Sequence, residues 1–151
     1  MAEPLLDVRD LKVRFATEDG IVQAVSGISF QLEAGKVLGI VGESGSGKSV
    51  TAMTLMGLTR GVNARFEGEV LYRGTDLLDV SDTEMQNYRG NEIGMIFQDP
   101  MTSLNPVYRI GDQIVEAIRA HQKLDKRAAR SSAARCSGSS ASRGRARALP
   151  R

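Results

Sequence analysis

The stretch Gly42-Glu43-Ser44-Gly45-Ser46-Gly47-Lys48-Ser49 constrains this chain more than any other. It fits G-x-x-x-x-G-K-[ST] at every fixed position. The apolar run Val37 to Val41 precedes it and reads as a buried strand, and the helical pattern Val50 to Leu58 follows. Strand, glycine loop and helix together turn a string match into a candidate phosphate site. A polyphosphate needs several donors converging on one point. Backbone N–H groups supply them only where the chain curls closely, and Gly42, Gly45 and Gly47 carry no Cβ to obstruct that curl. The helix that follows would aim its free N–H groups and positive dipole end at the same phosphates. Lys48 would reach the β- and γ-phosphates, and the Ser49 hydroxyl would ligate Mg²⁺. Glu43, Ser44, Ser46 and Val50 complete the expected nucleotide contacts by position. A glycine-rich turn that binds nothing is the competing reading. The lysine, the serine and both flanking elements argue against it.

Composition narrows the surroundings of this loop. A chain of 151 residues suggests a single domain. Its one cysteine, Cys136, excludes a disulfide framework and a cysteine-built metal site, which points to a reducing cytosol. No apolar run approaches membrane-spanning length, so a membrane connection is expected through a partner and not by insertion. Residues 123–151 carry nine Lys/Arg and one Asp, against eleven Lys/Arg and seventeen Asp/Glu in the rest. The chain therefore changes character near residue 123.

Leu5 to Phe15 alternates apolar and polar residues in the manner of a strand. Glu18-Asp19-Gly20 is a turn, and Ile21–Val25 and Ile28–Leu32 suggest two more short strands. Turns this short imply antiparallel pairing. Phe66 to Tyr72 reads as another strand. Ser81-Asp82-Thr83-Glu84 is a capping box that starts a helix, and Gly90 ends it. Ile93 to Phe97 reads as a second buried strand, and Gly111 to His121 as an amphipathic helix. The fold class expected is α/β: a P-loop NTPase core with an antiparallel β subdomain, incomplete on its C-terminal side.

Three stretches carry a resemblance to a known family: GESGSGKS at 42–49, MIFQDPMTSLNP at 95–106, and the Gly111-Asp112-Gln113-Ile114 start of the late helix. With the opening strands, they make residues 4–130 similar to the nucleotide-binding subunit of ATP-binding cassette transporters. The spelling resembles the branch that imports dipeptides, oligopeptides or nickel. The resemblance implies ATP and Mg²⁺ as cofactors, transporter membrane subunits and a second ATP-binding subunit as partners, and a peripheral place on the cytoplasmic face of the membrane. It implies that Phe15 stacks on adenine, although a strand-end core aromatic reads equally well there. It implies that Gln98 contacts Mg²⁺ or the attacking water. Asp99 and Glu43 are weaker candidates for chemistry, and His121 reads as a surface residue.

The family's signature loop, its Asp-Glu strand end and its switch histidine have no counterpart after residue 106. ATP binding without full hydrolytic competence is therefore the expectation. Residues 131–151 are rich in Ser, Ala, Arg and Gly. Back-translated in a shifted frame they can yield the family's continuation, so a frameshift after Arg130 and a disordered basic tail are expected. The tail has arginines without interleaved aromatics, which disfavours nucleic acid as a partner. A P-loop small-molecule kinase and an idle remnant of a transporter subunit are the other readings. The kinase is disfavoured by some forty residues of strand ahead of the loop.

Overall fold

The structure, a computed structural model, describes residues 3–61, 63–98 and 105–141, with the side chains of 136–141 left aside. Asp99 and residues 142–151 lie outside the described residues. The contacts divide the chain into two compact units, residues 1–94 and 95–151.

The first unit is built on a four-stranded antiparallel sheet in the order β2-β1-β3-β4, with β1 Leu6–Thr17, β2 Gly20–Leu32, β3 Ala64–Tyr72 and β4 Thr75–Asp76. Two-residue turns make both hairpins. At the second, Arg73 and Gly74 both take positive φ, 48° and 80°, the primed geometry that matches strand twist. The apolar residues of β1 switch from even to odd positions between Val8 and Leu11. The structure shows why: the register shifts there against both β2 and β3, and Asp10 sits at φ 44°. This bulge keeps Val8, Leu11 and Val13 all facing the core. Gly68 faces the bulge, where a Cβ would stand 2.4 Å from the Arg9 carbonyl oxygen. The expected pair of strands at 21–25 and 28–32 is one strand, β2. Gly27, at φ 96°, bends it without ending it.

Val8, Leu11, Val13, Val25, Val70 and Tyr72 of the sheet pack with Leu77 and Met85 in one core. Met85 comes from α2, Asp82–Tyr88. Its expected capping box is present: the Ser81 hydroxyl accepts from the Glu84 N–H, and the Glu84 carboxylate accepts from the Ser81 N–H at 3.0 Å. These bonds from Ser81, backbone first and hydroxyl second, hold the Glu84 carboxyl below its ordinary range.

Two expected strands are not formed. Val37–Val41 has no strand pairing, and Ile93–Phe97 makes only an isolated bridge, Arg89 to Ile93. Val37, Val41 and Ile96 are 97%, 97% and 98% exposed. Their apolar runs mark them for parallel strands covered on both faces. A strand also needs neighbours, and among the described residues only the Arg89–Ile93 bridge meets either run.

The second unit holds α3 Ile110–His121 and α4 Lys126–Ala141. Val115 packs on Ala129 and Ala133, with Ile114, Ile118 and Leu124 around them. The Asp125 side chain caps α4 by accepting from the Ala128 N–H at 2.7 Å. Residues 131–141, expected to be disordered, are thus helical. Alanines four apart suffice to seat that helix against Val115, where the sequence offers no larger aliphatic group. His121 is exposed at the end of α3. Among the described residues no helix is long and apolar enough to cross a membrane.

Candidate functional site

The site grows from the turn between Val41 and α1, Lys48–Leu55. Gly45 and Gly47 take φ of 82° and 88°, conformations that L side chains rarely adopt. Gly47 is also the N-cap of α1, and a Cβ on it would stand 2.4 Å from the Ala24 carbonyl oxygen of β2. Glycine is therefore required twice at this position, once for the turn and once for close approach to the sheet. Gly42 lies on the other side of the turn, where a Cβ would meet the Ser46 Oγ at 2.7 Å. The Glu43 carbonyl accepts from the Ser46 N–H at 3.2 Å and closes the curl.

Lys48 points into this curl. Its Nζ donates to the Gly42 carbonyl at 2.7 Å, the Glu43 carbonyl at 2.6 Å and the Ser46 Oγ at 3.2 Å. No side chain caps the start of α1, and no acidic residue stands in its first turn. The positive end of the helix is thus open to an anion. The buried Thr51 bonds back to the Gly47 carbonyl at 2.9 Å and tightens this first turn. A cleft of about 450 Å³ runs between loop and sheet, lined by Gln23 to Ile28 of β2, Ile40 to Gly42, Gly45, Ser46, Lys48 and Thr51. Glycine N–H groups, an ammonium and a helix N-terminus in one cleft make a donor set suited to polyphosphate.

The structure thus brings Gly42, Glu43, Ser44, Gly45, Ser46, Gly47 and Lys48 into one turn. Ser49 is exposed on the first turn of α1, and its hydroxyl is the hard oxygen donor that Mg²⁺ prefers. Val50 points elsewhere. It is partly buried against the sheet core, as is Phe15. Phe15 pairs with Val22 and Ala64 near the end of β1 and is not in the lining of the cleft. Gln98 is exposed and belongs to the second unit, which is described by itself.

Sequence reasoning missed the β2 wall of the cleft. Gly47 is the available signal, because a glycine at that motif position is forced by what it approaches. Arg60 and Arg89 were also missed. Arg60 donates to the Leu77 and Val80 carbonyls at 2.5 and 2.6 Å, and Arg89 to the Met56 and Gly57 carbonyls at 2.7 and 2.9 Å. Nothing in the sequence marks either arginine.

Among solved structures, the dimeric bacterial ABC transporter cassette MJ0796 matches this chain with a TM-score of 0.71 at 22% identity, over 87% of this chain and 55% of that one. The same cassette in a post-hydrolysis state bound to ADP and Pi gives a TM-score of 0.69. The fold is accordingly that of a P-loop NTPase cassette, with an antiparallel sheet, over part of the cassette's length. The family follows from sequence: the ABC transporter model matches residues 25–149, and the chain belongs to that family. The oligopeptide transport ATP-binding protein OppD of Bacillus subtilis (strain 168) is 54% identical over 127 residues, covering 83% of this chain and 36% of that protein. The dipeptide transport ATP-binding protein DppD of Lactococcus lactis subsp. cremoris (strain MG1363) is 57% identical over 122 residues, covering 80% and 35%. The chain spans a little over a third of the length of these relatives.

Proposed function

We propose that this chain supplies the nucleotide-phosphate site of an ATP-binding subunit in an importer of oligopeptides or dipeptides. The observation that carries the proposal is the inward-pointing Lys48 in a glycine turn at an uncapped helix start. Its relatives' names, oligopeptide and dipeptide transport ATP-binding proteins, support the substrate class. Membrane subunits and a second ATP-binding subunit are the partners in this reading, met peripherally at the cytoplasmic face. Residues 1–130 carry the N-terminal part of the nucleotide-binding domain.

Within the site each residue has a stated task. Gly42 to Gly47 present backbone N–H groups to the phosphates. Lys48 leaves the Gly42 and Glu43 carbonyls for the phosphate oxygens, a charge-assisted exchange that favours the anion. The Ser49 hydroxyl would ligate Mg²⁺, which would neutralise phosphate charge when bound. Family resemblance alone assigns Phe15 to adenine and Gln98, which belongs to the other compact unit, to a water or the metal. An amide, a hydroxyl and an ammonium hold and orient without taking a proton. These residues therefore serve to bind and orient the nucleotide in this reading.

Calorimetric titration with Mg²⁺-ATP and with inorganic tripolyphosphate tests this. Wild type binds both. Lys48→Ala binds neither, and Phe15→Ala weakens ATP while leaving tripolyphosphate unchanged. If Lys48→Ala binds ATP as well as wild type, the turn at 42–49 is not the site.

A further inference from the structure

The phosphate-facing end of α1 is one end of a short lever. The other end is closed by Gly57, which sits at φ 63°. The Gly57 N–H donates to the Thr54 carbonyl and the Leu58 N–H to the Met53 carbonyl, both at 2.9 Å. This is a Schellman closure, and it satisfies two of the carbonyls orphaned at the helix end. Past Leu55, the carbonyls of the C-cap Met56 and of Gly57 are taken by a single guanidinium: Arg89 Nε reaches Met56 at 2.7 Å and its terminal nitrogen reaches Gly57 at 2.9 Å. Gly57 is fitted to this contact, since a Cβ there would stand 2.9 Å from that same nitrogen and 3.1 Å from Met85.

Arg89 is itself held in place. It is the C-cap of α2, its N–H donates to the Met85 carbonyl at 3.0 Å, and Met85 is fully buried in the sheet core. The neighbouring Tyr88 packs edge-on against Tyr72 of β3, with ring centroids 6.0 Å apart. At the opposite end of α2, Arg60, just past the α1 exit, bonds the Leu77 and Val80 carbonyls and the Asp82 carboxylate. Two arginines thus tie the exit of α1 to both ends of α2, one running each way. The apolar run Val37–Val41, which leads into the loop, has no strand pairing among the described residues. The placement of the α1 N-terminus then depends on the seat of Gly47 against Ala24 of β2 and on what grips the helix itself.

We propose that Arg89 is a positioning residue for the phosphate site, acting through the Met56 and Gly57 carbonyls to fix the axis of α1 and hence the aim of Lys48 and the loop N–H groups. The proposal rests on the phosphate-binding reading of the loop. Lys48 and Met56 are about 12 Å apart along a helix axis, so a tilt of about 5° displaces the phosphate end by about 1 Å. A displacement of that size takes a hydrogen bond from good geometry to none. A cation at a helix C-terminus also complements the dipole whose positive end meets the phosphate. The fork is essential here, because one planar group spans two carbonyls where an ammonium acts as a point.

The test uses the full chain with Arg89→Lys as the main variant and Arg89→Ala as the second, should the first fail to fold. Tripolyphosphate affinity is read by calorimetry, and backbone amide resonances are read without ligand. Arg89→Lys is expected to weaken tripolyphosphate roughly tenfold, the share of two charge-assisted bonds transmitted through the helix. The Gly47 and Lys48 amides should shift while those of β1, β2 and β3 stay in place. Two results would overturn the proposal: affinity within about twofold of wild type with the loop amides unmoved, or lost affinity accompanied by shifts throughout the sheet, which is general destabilisation. If wild type itself does not bind tripolyphosphate, the proposed function fails, and the amide shifts of the ligand-free variants still decide whether Arg89 positions the loop.

Discussion

Val13 and Val41 are both valines in stretches that read as strand, yet Val13 is fully buried and Val41 is 97% exposed. Val13 lies on β1 between two antiparallel partners, opposite Val25 on one side and Phe66 on the other. Those partners arrive by a short turn or by the chain after α1, and their bulges and glycines are matched to β1 residue by residue. Val41 leads into the phosphate loop from a run with no partner among the described residues. The phosphate turn nevertheless forms beside it. Its geometry is set by contacts of short sequence range: Lys48 to Gly42 and Glu43, Ser46 to Glu43, Thr51 to Gly47. The bonds inside the turn are thus local, whereas its seat against Ala24 of β2 and the Arg89 grip on the far end of α1 are not.

The largest effect that sharpens this contrast comes from the paired side. Leu11→Ala, at a fully buried position on β1, should destabilise the first unit by about 2–5 kcal/mol. Val41→Ala should stay within about 0.5 kcal/mol. Denaturant unfolding of both variants measures the difference, and equal losses would mean that Val41 is buried after all. Gly68→Ala should come next, at about 1–3 kcal/mol, because its φ of 93° and the Arg9 carbonyl 2.4 Å from a new Cβ both oppose it. A thermal melt unchanged by this substitution would break the account of the β1 bulge.

The unpaired side predicts exposed apolar surface. Replacing Val37 and Val41 together by aspartate should lower binding of a hydrophobic dye with little change in melting temperature, since both side chains already face solvent. A loss of folded protein in that variant would show that the run is paired. The smallest effect is the pH dependence of α2. The Glu84 carboxyl lies below its ordinary range, held first by the Ser81 N–H. Its stabilisation is therefore complete above the ordinary glutamate range and is lost as pH falls through the lower folded value. Circular dichroism of Glu84→Gln against wild type across that acidic window should show a shallower dependence in the variant.

Much of the first unit is legible in the sequence. The even-to-odd switch from Val8 to Leu11 encodes the bulge, and Ser81 to Glu84 encodes the start of α2. Gly47 is legible as a turn residue but not as the contact to Ala24, because that contact depends on where β2 runs. Gly27 resembles a strand break, and only its neighbours Asp10 and Lys12 reveal a bend within one strand. Ala129 and Ala133 seat α4 without the large aliphatic residues by which an amphipathic helix is recognised. Arg60 and Arg89 bond backbone carbonyls 17 to 33 residues away. Such partners leave no mark on local pattern, since any residue supplies a carbonyl.

The measurement that bears most directly on the central claim is a tripolyphosphate titration of the full chain followed by backbone amide resonances. If the turn at 42–49 places its own donors, the amides of Gly42, Gly45, Gly47 and Lys48 shift progressively and saturate, while those of Leu11, Val13 and Val70 in the paired sheet do not move. Shifts spread through the sheet, or confined to residues outside the turn, would contradict the claim.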